Sequence, residues 1–149
     1  MEQSEANKDK VRYFLDEVYN KGNLAVADEL VAPDYVSHNK LALEVLGPEG
    51  IKQVALLQRA AFPDLRSECL DLIAEGDKVV VRGRDTGTFS HEFMGLAPTG
   101  NRFCITWIDI FRFEAGLLKE AWLETDSHDF LKQLSAAPAE EPVSEPAAD

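Results

Sequence analysis

The 149-residue sequence predicts a single α+β domain in which three helices precede about four long antiparallel strands and a short helical end. Near the N-terminus, apolar residues recur every three to four positions, which is typical of one face of a helix. After residue 64, apolar and polar residues alternate and tight-turn residues separate the runs, which is typical of a sheet. A strongly twisted sheet can curl around the helices and leave a pocket between them.

Three helices are predicted from apolar spacing and from the signals at their ends. The first covers residues 8–20, whose apolar positions share one face, while the polar residues 1–7 are expected to fray. Asn23 is interpreted as the N-cap of a second helix, which Pro33 ends. A third helix is predicted over residues 51–61, after a turn that contains glycine and proline.

The strands follow the third helix. They are predicted over residues 65–74, over residues 78–86 and in a long hairpin within residues 99–126. A short helix over residues 127–134 then completes a domain that covers residues 1–135. This order of helices before strands indicates layers of helix and sheet around one core.

The acidic composition argues against several partners. The chain carries 15 basic and 27 acidic residues, a formal net charge of −12, which repels nucleic-acid backbones and anionic membranes. Residues 136–149 contain three prolines and four acidic residues, and they are predicted to form a flexible tail. The N-terminus does not resemble a signal peptide and no apolar run has the length of a membrane span, so we expect a cytoplasmic protein.

No cofactor is expected from the motifs. The three histidines lack the spacing of metal ligands, and the glycines form neither a phosphate-binding nor a dinucleotide-binding loop. We therefore expect neither a metal nor an organic cofactor.

Asp109 is the first candidate for chemistry because the hairpin places it in a row of large apolar side chains. A carboxylate in such a row is costly to bury unless it has a partner or a chemical task. It is either an acid or base in a pocket, or the partner of an arginine. The candidate arginines are Arg82, Arg84 and Arg112.

The turn near Gly116 decides which residues share a face with Asp109. A three-residue turn would pair Asp109 near Leu123, whereas a four-residue turn would pair it near Trp122. The sequence leaves both registers open.

Two further residues are candidates for acid or base roles. His38 has an ordinary pKa that suits proton transfer near neutrality, and its alternative is a surface histidine in a loop. Asp126 lies at the end of the last strand, and its alternative is the N-cap of the next helix.

Four aromatic residues are candidates for the wall of the pocket. Trp107 and Trp122 either line a site for a planar ligand or pack in the core or an interface. Tyr13 and Tyr35 either line the pocket from the helical side or pack in the core.

An ordered set of segments carries a family resemblance from residue 11 to residue 134. It includes VRYFLDEVYNKGNLAVADELVAPDYVSHN, GPEGIKQVALLQRAAFPDLRSECL, EFMGLAPTGNRF and IDIFRFEAGLLKEAW. The sequence resembles the SnoaL-like polyketide cyclase family of the NTF2-like superfamily. This resemblance implies a cone in which three helices pack on a curved antiparallel sheet around a pocket. It also implies a homodimer formed through sheet faces. The reaction it implies is cofactor-free aldol-type ring closure, with a pocket carboxylate as the acid and base.

Two positions depart from the family pattern. Phe89 stands where relatives often have a histidine, and Leu123 stands where the residue after the tryptophan is often an aspartate. Both changes make the pocket more apolar, and both residues are expected to contact substrate. We expect a cyclase-type protein for a small hydrophobic polyketide-like molecule. The alternatives are a non-catalytic protein that binds such a molecule and a dimerisation scaffold with a vestigial pocket.

Overall fold

The computed structural model describes residues 2–39 and 44–137, and it confirms the predicted α+β fold. Helices lie against one face of a curved sheet, with α1 on strands β3 and β4 and α3 on strand β1. The elements are α1 (Glu2–Phe14), a π-helical segment (Leu15–Asn20), α2 (Ala25–Leu30), β1 (Val31–Asn39), β2 (Val45–Leu46), α3 (Gly47–Ala61), β3 (Arg66–Glu75), β4 (Lys78–Thr88), β5 (Arg102–Glu114), β6 (Leu117–Thr125) and α4 (Ser127–Ser135).

The six strands form one sheet in the order β2-β1-β6-β5-β4-β3, and the sheet does not close into a barrel. Neighbouring strands are antiparallel except β1 and β6, which are parallel. The four long strands β3 to β6 are antiparallel as predicted, and the parallel pairing of β1 with β6 is an addition that the sequence did not indicate. The two strands come from distant parts of the chain, so no hairpin dictates their relative direction.

The hairpin between β5 and β6 has a register that the sequence left open. Its turn contains only Ala115 and Gly116, which have φ angles of 52° and 81°, as a tight two-residue hairpin turn requires. A register shift on β6 then leaves Lys119 as an extra residue. Together these features place Asp109 directly opposite Leu123.

The helical region differs from the predictions at three points. Helix α1 begins at Glu2, so residues 2–7 are helical rather than frayed. The side chain of Asn23 does not cap α2, because it donates a hydrogen bond to Glu17 at 3.1 Å. Pro33 lies within β1 rather than at the end of the second helix. Of the predicted tail, residues 138–149 lie outside the described residues.

Two buried clusters make up the core. One packs α1, the π-helical segment and α2 against the sheet, and it includes Val11, Val18, Val79 and Val81. The other surrounds Phe62 near the C-terminal end of α3, and its buried members are Ala61, Phe62, Leu65, Phe89, Phe93, Phe103, Phe130 and Leu134. Within residues 2–39 and 44–137, no helix is long and apolar enough to cross a membrane.

Candidate functional site

A cavity of about 270 Å³ lies between the two core clusters. Aromatic and aliphatic side chains from both clusters form most of its wall, including Phe14, Phe62 and Phe111. The polar part of the wall consists of Tyr19, Tyr35, Ser37, Asn39, Gln58, Ser67, Asp85, Asp109 and Thr125. Among the described residues of this wall there is no lysine, arginine or histidine. The cavity is thus apolar, with carboxyl, hydroxyl and amide groups at a few points.

Strand alternation brings Asp109 into the cavity. Trp107, Asp109 and Phe111 occupy alternate positions of β5 and all line the cavity. Leu123, directly across on β6, lines it as well. An oxygen of the Asp109 carboxyl accepts a hydrogen bond from the backbone N–H of Glu124 at 3.3 Å.

The three arginines considered as partners of Asp109 pair elsewhere. Arg82 donates to Asp71 at 2.7 Å, Arg84 to Glu68 at 2.9 Å, and Arg112 to Glu120 at 3.0 Å. All three arginines occupy positions whose side chains point to the other face of the sheet, because Asp109 pairs across the strands with Val81 rather than with Arg82. The structure therefore contradicts the ion-pair alternative for Asp109.

The surroundings of Asp109 favour its protonated form. Burial raises the pKa of Asp109 to about 8, and the nearby charges of Asp85 and Glu124 add to the rise. The hydrogen bond from the Glu124 backbone opposes the rise without cancelling it. A carboxyl group with this pKa can both accept and donate a proton near neutral pH.

Asp85 is a second carboxyl group of the cavity, which the sequence reasoning missed. Its oxygen accepts a hydrogen bond from the indole N–H of Trp107 at 2.9 Å. The indole reaches Asp85 because Gly83 lies opposite Trp107 and leaves room for the ring, where a Cβ would come within 2.1 Å of it. Burial raises the pKa of Asp85, while hydrogen bonds with Ser67 and Trp107 lower it.

Three hydroxyl groups also contribute to the cavity. Burial raises the pKa values of Tyr19 and Tyr35, so both phenols remain protonated donors. The Ser37 hydroxyl partly offsets the rise for Tyr35, but their contact falls short of hydrogen-bond geometry. Ser37 is 1% exposed, and its hydroxyl has no hydrogen-bond partner in the described part of the chain.

The comparisons with known proteins agree with this architecture. The family model of the SnoaL-like polyketide cyclases matches residues 9–134. The chain belongs to this family. A search of curated proteins gave no match.

Solved structures of similar proteins cover nearly the whole SnoaL-like domain. A protein from Jannaschia sp. CCS1, assigned as a SnoaL-like polyketide cyclase, is 26% identical with a TM-score of 0.83, over 91% of this chain and 95% of that one. IdmH from Streptomyces antibioticus, assigned as a polyketide cyclase, is 34% identical with a TM-score of 0.70, over 85% and 96%. AclR from Streptomyces galilaeus, assigned as a hydroxylase, is 27% identical with a TM-score of 0.73, over 89% and 98%. These relatives share the fold but carry different assigned reactions.

In this SnoaL-like protein, two of the predicted site residues lie on the outer face of the sheet. Ser37 faces the cavity, so its neighbour His38 faces away from it. The Nε2 atom of His38 lies 2.9 Å from the Oε2 atom of Glu120. The His38 ring stacks on the Trp122 ring, with the two centroids 5.7 Å apart. Neither His38 nor Trp122 is among the residues that line the cavity.

Three more candidates lie outside the cavity wall, and the remaining four lie within it. Asp126 caps α4 by accepting a hydrogen bond from the backbone N–H of Asp129 at 2.9 Å, which was its alternative role. Tyr13 is 46% exposed on α1. Phe89 is fully buried against Phe62. The structure thus brings together, of the candidates named from sequence, Tyr35, Trp107, Asp109 and Leu123.

Proposed function

We propose that this SnoaL-like protein is a cofactor-free acid/base catalyst that closes a ring by an aldol-type reaction in a small hydrophobic polyketide-like substrate. The observation that carries the proposal is the Asp109 carboxyl group, which faces an apolar cavity without a cationic partner among the described residues. The pairing of Asp109 with Leu123 supports the same role, because Leu123 itself supplies no acid or base. The family acid implied by the resemblance would stand there, and Asp109 lies directly opposite it.

Asp109 supplies both proton transfers of an aldol ring closure. Its ionised form, about a tenth of the molecules at pH 7 for a pKa of about 8, takes a proton from the carbon next to a substrate carbonyl. The electron pair of that C–H bond forms an enolate, whose carbon attacks a second carbonyl to make the new C–C bond. The protonated Asp109 then returns the proton to the resulting alkoxide oxygen.

The remaining polar groups fit the charge that develops during this reaction. Tyr19 and Tyr35 stay protonated and can donate hydrogen bonds to an enolate or alkoxide oxygen, where such bonds strengthen in the transition state. The apolar wall keeps the effective dielectric low around these bonds. A volume of about 270 Å³ suits a substrate with one or two rings inside the cavity.

The proposal can be tested with acetylnaphthalene as a probe ketone. Wild-type protein should accelerate exchange of the methyl hydrogens with deuterium from D₂O, measured by proton NMR. Asp109→Asn should lose about 100-fold or more of this acceleration, as expected when a general base is removed. Asp71→Asn, the same change on the outer face, is the matched control and should keep the wild-type rate. An Asp109→Asn variant with wild-type exchange would remove Asp109 from the mechanism.

A non-catalytic binding role is the second candidate, and Leu123 is the observation that favours it. An apolar residue at this point of the wall improves the fit of a hydrophobic ligand without adding chemistry. In the exchange experiment, probe that binds the wild-type protein without any acceleration of exchange would favour this role over catalysis.

We also propose a homodimer formed through the outer face of the sheet. Paired residues of four neighbouring strands place an apolar row there, made of Ile73, Val80, Ile110 and Trp122. Ile73 is 66% exposed and the nearby Ile108 is 51% exposed, which is unusual for aliphatic residues so close together. Analytical ultracentrifugation should show a dimer for the wild type and a monomer for Ile108→Asp; a wild-type monomer would contradict the proposal.

A further inference from the structure

The charge of the cavity wall limits the ligands that it can accept. Its ionisable side chains within the described residues are two carboxyl groups, Asp85 and Asp109, and two phenols, Tyr19 and Tyr35. A ligand carboxylate or phosphate would lose its hydration in this apolar wall and would find no cation there to offset the loss. An anionic ligand is therefore disfavoured, whereas a neutral or cationic ligand is compatible with the wall.

Asp85 has acceptor capacity that the protein leaves unfilled. A carboxylate offers about four lone-pair sites, and the contacts that act on Asp85 come from Trp107 and Ser67. Burial raises the pKa of Asp85 because no cation among the described residues offsets the loss of water. Holding Trp107 in place would require only one acceptor atom, and a neutral side chain could provide it.

At another point of the same wall, the buried Ser37 hydroxyl contacts Tyr35 but not within hydrogen-bond geometry. Ser37 is 1% exposed, lines the cavity, and makes no hydrogen bond with its hydroxyl within residues 2–39 and 44–137. A buried hydroxyl without a partner costs free energy that a bound molecule can recover. This second observation indicates that the cavity receives a ligand with a polar group as well as an apolar body.

The aromatic surface next to Asp85 suits a cation. The Trp107 ring lies beside Asp85 and lines the cavity, and a cation held against a tryptophan ring gains an electrostatic attraction that grows when water is excluded. A carboxylate and an indole in one apolar wall therefore match a protonated amine better than a neutral oxygen.

We propose that the cavity binds a small ring compound that carries a protonated amine, with the ammonium group at Asp85 and Trp107 and an oxygen substituent at the Ser37 hydroxyl. The inference rests on the proposed function, because it names the substrate class for the same cavity. Asp109 stays free for proton transfer in this arrangement, and Asp85 is the residue that sets specificity.

The test compares three probes with the same ring: naphthylmethylamine, naphthalenemethanol and naphthoic acid. Isothermal titration calorimetry on the full-length wild type at pH 7 should give the amine an affinity about tenfold or more above that of the alcohol. The acid should bind more weakly than the alcohol. Equal affinities of amine and alcohol, tightest binding of the acid, or no binding of the amine at about 1 mM would overturn the proposal.

Asp85→Asn separates the proposed role from a structural one. The asparagine carbonyl can still accept the Trp107 N–H, so the indole keeps its partner while the negative charge is lost. The variant should lose about tenfold in affinity for the amine and keep its affinity for the alcohol within about twofold. Loss of affinity for both probes alike, or for neither, would show that Asp85 only positions Trp107.

Two controls keep this result independent of the catalytic proposal. Asp71→Asn removes a carboxylate from the outer face and should leave all three affinities unchanged. Asp109→Asn should keep the preference for the amine over the alcohol, although it abolishes deuterium exchange. If amine preference fails while exchange still depends on Asp109, only the substrate class is wrong; if exchange fails while the preference persists, only the catalysis is wrong.

Discussion

Carboxylate side chains have opposite surroundings on the two faces of the sheet. On the outer face, the carboxylates of Asp71, Glu68 and Glu120 each lie within 3.0 Å of an arginine, with side chains that are 55%, 33% and 22% exposed. On the inner face, Asp85 and Asp109 have no lysine, arginine or histidine beside them in the described cavity wall. The arginines that pair with the outer carboxylates lie on β4 and β5, the strands of Asp85 and Asp109, and strand parity points them to the other face.

The difference supports the proposal that the inner carboxyl groups serve chemistry. Exposed ion pairs keep most of their hydration and change stability little. A carboxyl group in an apolar wall loses hydration, and an aliphatic side chain at the same position would give a more stable fold. Residues that destabilise a fold without a structural benefit are concentrated at functional sites. Asp109 and Asp85 fit this description, which supports the roles proposed for them.

Asp109→Asn should produce the largest effect, and the effect should depend on pH. The pKa of Asp109 in the fold is about 8, above its ordinary value of 3.8, so the fold favours the protonated form. The contribution of protonated Asp109 to the free energy of unfolding is fully present below about pH 4 and is lost as the pH rises to about 8. The asparagine variant should therefore match the wild type near pH 4 and be more stable at pH 8, by up to about 5 kcal/mol at 1.36 kcal/mol per pH unit.

Urea unfolding between pH 4 and pH 9 measures this difference. Asp71→Asn, on the outer face, should shift the free energy of unfolding by a small and nearly constant amount over the same range. A difference between Asp109→Asn and the wild type that does not grow with pH would show that Asp109 is not desolvated in the fold.

The two tryptophans offer the second comparison between the faces. Trp107 is 8% exposed and donates its N–H to Asp85, so Trp107→Phe leaves a cavity and removes one hydrogen bond from the Asp85 carboxyl group. We expect a loss of about 2–3 kcal/mol in the free energy of unfolding. Trp122→Phe on the outer face keeps an aromatic ring against His38 and should cost less than about 1 kcal/mol. Guanidinium unfolding of both variants checks this, and equal losses would contradict the assignment of Trp107 as the buried tryptophan.

The sequence was sufficient to predict which strand positions face the same way on β5. Large apolar residues at alternate positions of β5 predicted that Asp109 shares a face with them, because strand parity follows directly from the backbone. The register could not be predicted. The two-residue turn and the extra residue Lys119 together pair Asp109 with Leu123, as a three-residue turn without an extra residue would also do. The sequence does not distinguish these two arrangements, whereas the packed structure does.

The errors at the site have a common physical origin. His38 lies in a strand where polar residues occupy both parities, so the sequence gives no sign of which face is buried. Asp85 follows Arg82 and Arg84 and therefore looks like part of a solvated charged face. The available signal was Gly83, because a glycine inside a strand often marks the close approach of another group, here the Trp107 ring.

The smallest effect should come from the outer ion pair between Asp71 and Arg82, whose side chains are 55% and 50% exposed. Asp71→Asn should cost no more than about 0.5 kcal/mol at low ionic strength, because solvent and side-chain entropy offset most of the attraction. In about 1 M salt, where the Debye length is about 3 Å, this cost should vanish. The Asp109→Asn difference at pH 8 should persist in the same salt, since that carboxyl group faces an apolar cavity rather than bulk solvent. Salt that reduces both effects equally would mean that the two faces are equally solvated, which would remove the physical basis for assigning chemistry to the inner one.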